Sequence, residues 1–278
     1  MPAELRVCSL YPDLMNIYAD RGNMLMLERR CAWRGIGFRI DAAGLGDPVD
    51  PEAHDLFYIG GGQDRDQALC ARDLATVKRK ALHAAADAGK VVLAVCGGYQ
   101  LLGSSYQLGD EELPGVGLVD LHTVREPGPR LIGNVAIEVE LNGEPAVLAG
   151  FENHGGRTYL GATARPLGRV LSGHGNNNHD GFEGVRRDNV IGTYLHGPLL
   201  PKNAHFADWI IATALGLERL ERSIPGPERG QTPAAARASR WASSSSASGS
   251  PSRRSRPSAV AMSQSAKCAF LGNSGPCR

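Results

Sequence analysis

The period of the apolar positions changes several times along the chain, and each change marks an element. Residues 91–95, Val-Val-Leu-Ala-Val, are apolar without a break and rich in β-branched side chains. That predicts a central strand buried on both faces. Shorter apolar runs at residues 4–10, 37–40 and 55–59 predict three more strands, the last running into Gly60-Gly61-Gly62. Between residues 14 and 34, Leu14, Ile17, Tyr18, Leu25, Leu27 and Cys31 recur at helical spacing, but Gly22 weakens the middle. The pattern there is of a helix broken near residues 20–23. Residues 67–88 read as an amphipathic helix closed by Gly89. Residues 189–195 predict a last strand, and about 203–217 a last helix with Phe206, Trp209, Ile210 and Ala214 on one stripe. Strands alternating with helices predict an α/β fold: an open, mostly parallel, doubly wound sheet with helices on both faces. After Gly103 the chain turns glycine-rich and β-rich, with a polar, turn-rich segment at 152–157 and a long loop at 173–181.

From residue 226 the pattern stops. Residues 226–278 hold Ser243-Ser-Ser-Ser246, a Ser-Arg-Arg-Ser-Arg-Pro run ending at Pro257, and almost no large apolar side chains. This composition predicts a disordered tail, leaving residues 1–225 as the folded domain. The net charge of +1 over 278 residues hides the same division. The tail carries eight basic residues and one acidic, leaving twenty-two basic against twenty-eight acidic in residues 1–225. A mildly acidic body argues against nucleic acid as its partner. No apolar run approaches the roughly 18 residues of a membrane span, and the first ten residues do not resemble a signal peptide, so a cytoplasmic protein is expected. The six cysteines show no C-x-x-C spacing, which indicates neither a zinc site nor a disulfide framework.

One cysteine changes the picture. Cys96 ends the 91–95 strand and is followed by Gly97-Gly98 and then by Tyr99-Gln100-Leu101-Leu102, which can open a helix. Ala94-x-Cys96-x-Gly98 has the form of a nucleophile elbow with sulfur in place of the serine oxygen. Small residues two positions either side let the backbones pass closely, and the turn aims the Gly97 N–H at any oxyanion formed there. The adjoining helix start is expected to lower the thiol pKa. A buried structural cysteine is the alternative, and the paired glycines favour the nucleophile over it. His196, in Thr193-Tyr-Leu-His-Gly-Pro198, sits at another strand's C-terminal end. In a parallel sheet such ends share one edge, so His196 could meet Cys96 across a hundred residues and act as its base; His154 is the competitor. The 60–62 glycines could face a bound oxygen with their N–H groups, or simply make a tight turn.

These residues carry a resemblance. Cys-Gly-Gly-Tyr-Gln at 96–100, Thr-Tyr-Leu-His-Gly-Pro at 193–198 and the triple-glycine strand end resemble a class I (triad-type, flavodoxin-like) glutamine amidotransferase domain of the cobyric acid synthase branch. Within that branch, Gly60-Gly-Gly-Gln-Asp-Arg-Asp-Gln-Ala68, Gly150-Phe-Glu-Asn-His-Gly-Gly-Arg-Thr-Tyr159 and Gly192-Thr-Tyr-Leu-His-Gly-Pro-Leu-Leu-Pro-Lys-Asn203 resemble the GatD group, the glutaminase subunits of lipid II isoglutaminyl synthases. The similarity covers residues 4–222. It implies that Cys96 attacks the side-chain amide of L-glutamine and that His196 serves as base. It implies Gly97 and Gly62 as the oxyanion hole, Arg130 as the grip on the substrate α-carboxylate, and Gln100 as a second substrate-binding residue. It also implies a partner, a MurT-like Mur ligase that amidates the D-glutamate α-carboxyl of lipid II, with ATP and Mg on that partner and no cofactor or metal here. The lack of a G-x-x-x-x-G-K-[ST] motif agrees with a subunit. Many relatives place a Glu two residues after the histidine; here Pro198 stands there, so the third acid is expected from the partner or from another residue such as Glu152. An amidotransferase for a corrinoid or other acid, a non-catalytic scaffold, and a cysteine hydrolase acting on peptides are the alternative functions.

Overall fold

In a computed structural model, residues 3–16, 20–218 and 220 are described. The expected 226–278 tail and the boundary before it lie outside these residues. In chain order the first half is β1 (Glu4–Leu10), α1 (Arg21–Ala32), β2 (Gly37–Ala43), β3 (Leu56–Ile59), α2 (Asp64–Asp73), a π-helical turn (Leu74–Lys78), α3 (Arg79–Asp87), β4 (Val91–Val95) and the short α4 (Gly97–Gln100). Then follow β5 (Ser105–Leu108), β6 (Glu111–Pro114), β7 (Leu121–Val124), β8 (Leu131–Leu141), β9 (Glu144–His154), β10 (Arg157–Leu160), β11 (Gly168–Ser172), β12 (Phe182–Glu183), β13 (Val185–Arg187), β14 (Val190–Thr193), α5 (Leu199–Lys202) and α6 (Ala204–Ala214).

The main sheet has the order β13-β14-β4-β3-β1-β2, parallel except for the edge strand β13. All five residues of β4 are fully buried, as an unbroken apolar run at the sheet centre requires. The step from β1 to β2 goes one way along the sheet and the step from β3 to β4 goes the other. With right-handed crossovers, α1 and the α2–α3 rod then fall on opposite faces, the doubly wound arrangement expected from the alternation. α1 packs against α5 and α6.

The helix expected at 67–88 starts three residues earlier, at Asp64. Asp64 and Asp66 stand in its first turn, where carboxylates suit the positive end of a helix. Gly89 closes the rod with φ +80°, its N–H and that of Lys90 donating to Ala86 O and Ala85 O. Of the broken helix expected over residues 14–34, the described residues show only α1 from Arg21, with Gly22 inside its first turn, and residues 12–15 form turn and bend.

Two smaller sheets cover the rest, β10-β7-β5-β6 and β12-β11-β8-β9. The segment expected as a polar turn at 152–157 is the end of β9, a two-glycine turn and the start of β10. Along β9 the inward positions are Leu148, Gly150, Glu152 and His154. Polar side chains in the buried register hide the alternation that would have marked the strand.

Candidate active site

β4 delivers Cys96 to the C-terminal edge of the main sheet in a strained conformation, φ 53° and ψ −109°. A non-glycine residue in that region persists only where its surroundings hold it. Here the hold is close packing. A Cβ on Gly98 would stand 2.7 Å from both the Ile59 side chain and the Ile59 carbonyl, and the Gly98 N–H donates to Gly60 O at 3.0 Å. On the β14 side, a Cβ on Gly192 would stand 2.2 Å from the Tyr99 ring. The elbow is thus clamped between the ends of β3 and β14.

The triple-glycine segment lies on that turn. The chain before α1 crosses it so closely that a Cβ on Gly60 would be 2.2 Å from Met15 O, and one on Gly62 would be 2.4 Å from Met15 Sδ. Gly62 N stands 3.1 Å from where a Gly97 Cβ would be, so the two backbones adjoin. The Gly97 N–H donates to the Cys96 sulfur. Both amides therefore lie within one turn of the thiol.

The lowered thiol pKa expected from the sequence is not found. Burial dominates and pushes Cys96 up to about 12; the Asp20 carboxylate adds to this, while the Gly97 N–H and Arg130 oppose it. A helix of four residues, Gly97–Gln100, offers too little dipole to offset complete burial.

His196 follows β14, which pairs in parallel with β4 (Thr193 opposite Val95), so the histidine and the cysteine reach the same sheet edge. The His196 backbone bridges to Phe151, and its Nε2 accepts the Asn153 N–H at 3.1 Å. A neutral ring with Nε2 as acceptor carries its proton on Nδ1. Burial holds this imidazole down to about pKa 4, with Lys202 and Arg130 pushing the same way. Arg130 joins the group through Asn153, donating from Nε to Oδ1 and from Nη2 to the backbone O, each at 2.8 Å. It is exposed and lines the cleft above Cys96 with Gly62, Gly97 and His154. Gln100 also lines that cleft, but its amide is used inside the protein: Oε1 accepts from Gln67 at 2.8 Å and Nε2 donates to Tyr194 Oη at 3.1 Å. Gln67 in turn donates to Gly97 O at 3.1 Å, so the pair braces the turn after Cys96.

Glu152 binds the loop that follows β11. Its oxygens accept the His174 and Gly175 N–H groups at 2.7 and 3.0 Å, and its nearest imidazole is His154, at 4.0 Å. His154 is buried, stacks on Tyr194 with centroids 3.5 Å apart, and donates from Nδ1 to Gly156 O; burial lowers it to about pKa 3. Glu183, also buried, accepts from Thr193 Oγ1 and the Tyr194 N–H and so fixes the end of β14 that leads to His196. Burial raises it to about pKa 8. Asp20, Tyr58, Gln67 and Glu183 escape the sequence reading; of these only Gln67 stands in a motif that pointed to the site. The cleft itself is narrow, about 20 Å³. A second cavity of about 530 Å³ lies against α1 and lacks Cys96, but Asp20 borders it. Among the described residues no cluster of metal ligands occurs. No helix among them is long and apolar enough to cross a membrane.

These buried groups predict a stability optimum. The two histidines, at about 4 and about 3 when folded against 6.5 in the open chain, lend stability above pH 6.5 that is lost as the pH falls through those values. Glu183, at about 8 against 4.5, lends stability at low pH that is lost as the pH rises from 4.5 to 8. Each group changes stability by roughly 1.4 kcal/mol per pH unit within its window. Urea denaturation is expected to show a maximum near pH 6–7, and Glu183→Gln is expected to flatten the alkaline limb. An unchanged alkaline limb in that variant would mean Glu183 is charged in the native state at neutral pH.

Comparison with known proteins follows the same line. The model of the CobB/CobQ-like glutamine amidotransferase domain matches residues 6–204. The chain is 40% identical over 215 residues to the lipid II isoglutaminyl synthase (glutamine-hydrolyzing) subunit GatD of Streptococcus pneumoniae, covering 77% of this chain and 82% of the relative. It is 40% identical over 212 residues to the GatD subunit of Staphylococcus aureus, covering 76% and 84%. Among solved structures, PurLQS from Thermotoga maritima shares the fold, with a TM-score of 0.53, 19% identity, and coverage of 76% of this chain and 98% of that one.

Proposed function

This chain belongs to the CobB/CobQ-like glutamine amidotransferase family, and we propose that it is the glutaminase subunit of a lipid II isoglutaminyl synthase. It hydrolyses L-glutamine at Cys96 and passes the ammonia to a MurT-like, ATP-dependent Mur ligase, which amidates the D-glutamate α-carboxyl of lipid II. The observation that carries the reading is the strained elbow at Cys96 (φ 53°) with the Gly97 and Gly62 backbones beside it. Strain at a nucleophile, next to unhindered amides, suits attack on a carbonyl and shelter of the oxyanion that forms.

In the reaction His196 gives up the Asn153 N–H at Nε2 and takes the thiol proton there as the sulfur bonds to the glutamine Cδ. With Cys96 at about 12 and His196 at about 4, the resting pair is neutral, so this proton moves during attack rather than before it. The Gly97 and Gly62 N–H groups stabilise the tetrahedral oxyanion, by about 3 kcal/mol per donor in comparable enzymes. Collapse breaks the C–N bond; the imidazolium returns the proton to the leaving nitrogen, and ammonia departs from a glutamyl thioester. Water, deprotonated by His196, then releases glutamate and restores the thiol. Arg130, on the cleft wall and bonded to Asn153 through Nε and Nη2, takes the substrate α-carboxylate with its remaining Nη1 and Nη2 N–H groups. The cleft of about 20 Å³ must widen for a glutamine side chain to enter. Pro198 stands where the family often has a Glu, so the acid that orients His196 comes either from the partner ligase or from another residue of this chain. ATP and Mg would bind on the partner ligase.

The test is isotope transfer. With ¹⁵N-amide glutamine, ATP, lipid II and the Mur ligase, the label is expected in the α-carboxamide of D-isoglutamine. Label that stays in free ammonia while lipid II is unchanged would assign the ammonia to another acceptor.

A further inference from the structure

Asp20 stands beside the nucleophile without a part in the steps above. It precedes α1, is 3% exposed, and accepts hydrogen bonds at both oxygens. Oδ1 accepts from the Tyr58 hydroxyl at 2.6 Å and Oδ2 accepts from the Gly61 N–H at 3.2 Å. Tyr58 also accepts from Asn23 Nδ2 at 2.8 Å, and Asn23 Oδ1 takes the Leu200 N–H at 2.8 Å. One network therefore joins the start of α1, the glycine loop and the chain just past His196. The fit is close, since a Cβ on Gly60 would lie 2.7 Å from Asp20 Cγ.

Three consecutive glycines have more backbone freedom than any other tripeptide, so the loop cannot hold an amide at one position unaided. A carboxylate bound to the middle amide supplies the missing constraint through a charge-assisted bond. The charge does not favour the thiolate, because Asp20 raises the Cys96 pKa. What the carboxylate contributes is therefore geometric.

We propose that Asp20 is a positioning residue of the glutaminase reaction: by holding the Gly61 amide it sets the 60–62 loop so that the Gly62 N–H is kept at the oxyanion position beside Gly97. This rests on the reading of Cys96 as a glutaminase nucleophile.

Two reactions of the same sulfur separate this role from a structural one. Glutamine hydrolysis passes through an oxyanion, whereas alkylation of Cys96 by iodoacetamide is a displacement at saturated carbon and does not. The full chain, with the Mur ligase present, would be compared as wild type, Asp20→Ala and Asp20→Asn. Asp20→Ala is expected to lower kcat about 30-fold or more, with KM within about threefold, as for a displaced oxyanion donor. Asp20→Asn can still accept the Gly61 N–H and donate to Tyr58, so it should recover part of kcat, and it supplies the result if the alanine variant does not fold. In both, Cys96 is expected to alkylate at least as fast as in wild type. The proposal is overturned if kcat is unchanged, if the effect lies in KM, or if alkylation slows in parallel with hydrolysis. A wild-type complex that does not hydrolyse glutamine would instead remove the glutaminase reading, and the Asp20 role with it.

Discussion

Cys96→Ala is expected to lower kcat for glutamine hydrolysis by at least about 10⁴-fold, and Cys96→Gly to do the same while giving the more stable protein. The first part follows from nucleophilic catalysis, in which loss of the attacking atom removes most of the rate. The second follows from the backbone. At φ 53° and ψ −109° any side chain is strained, and glycine is not. Both variants lose the sulfur, so their difference isolates the strain. Relief of roughly 1–3 kcal/mol, less the 0.5–1 kcal/mol that glycine costs through the open chain's entropy, leaves Cys96→Gly ahead by about 1 kcal/mol. Urea denaturation of the two variants, beside a glutamate-release assay, checks both parts. A glycine variant less stable than the alanine variant would mean that the elbow stores no strain.

Arg130→Ala is expected to raise KM for L-glutamine about 100-fold, the loss of a charge-assisted, bidentate carboxylate contact. kcat should fall by less. Arg130 holds Asn153 by two bonds of 2.8 Å, and the Asn153 N–H binds His196, so truncation also loosens the base. Arg130→Lys is not expected to restore KM, because an ammonium can reproduce neither the fork nor both contacts to Asn153. Steady-state kinetics on the three proteins decide this. A KM unchanged in Arg130→Ala would place the α-carboxylate elsewhere.

Much of the frame was legible in the sequence because it rests on local signals. Val91–Val95 could only be a central strand, Gly89 a helix cap, and the glycines around Cys96 a tight turn. The arrival of Cys96 and His196 at one sheet edge then follows from the parallel pairing of β4 with β14. What stayed hidden depends on long-range burial. The end of the strand at Glu144–His154 turns Glu152 and His154 inward and so reads as a polar turn. Asp20 reads only as part of the break near residues 20–23, and its bond to the Gly61 N–H, forty-one positions away, has no local trace. The thiol pKa went the other way for the same reason: a helix start is visible in the sequence, but the complete burial that outweighs it is not. Gln100 was expected at the substrate and is found bridging Gln67 and Tyr194 on the cleft wall.

The most direct test is glutamate release from L-glutamine by the purified chain, alone and then with its Mur ligase partner, beside Cys96→Ser. Release that depends on Cys96 and rises sharply when the ligase is added is the predicted result. Release of equal rate in wild type and Cys96→Ser, or none from either even with the ligase, would contradict Cys96 as a glutaminase nucleophile.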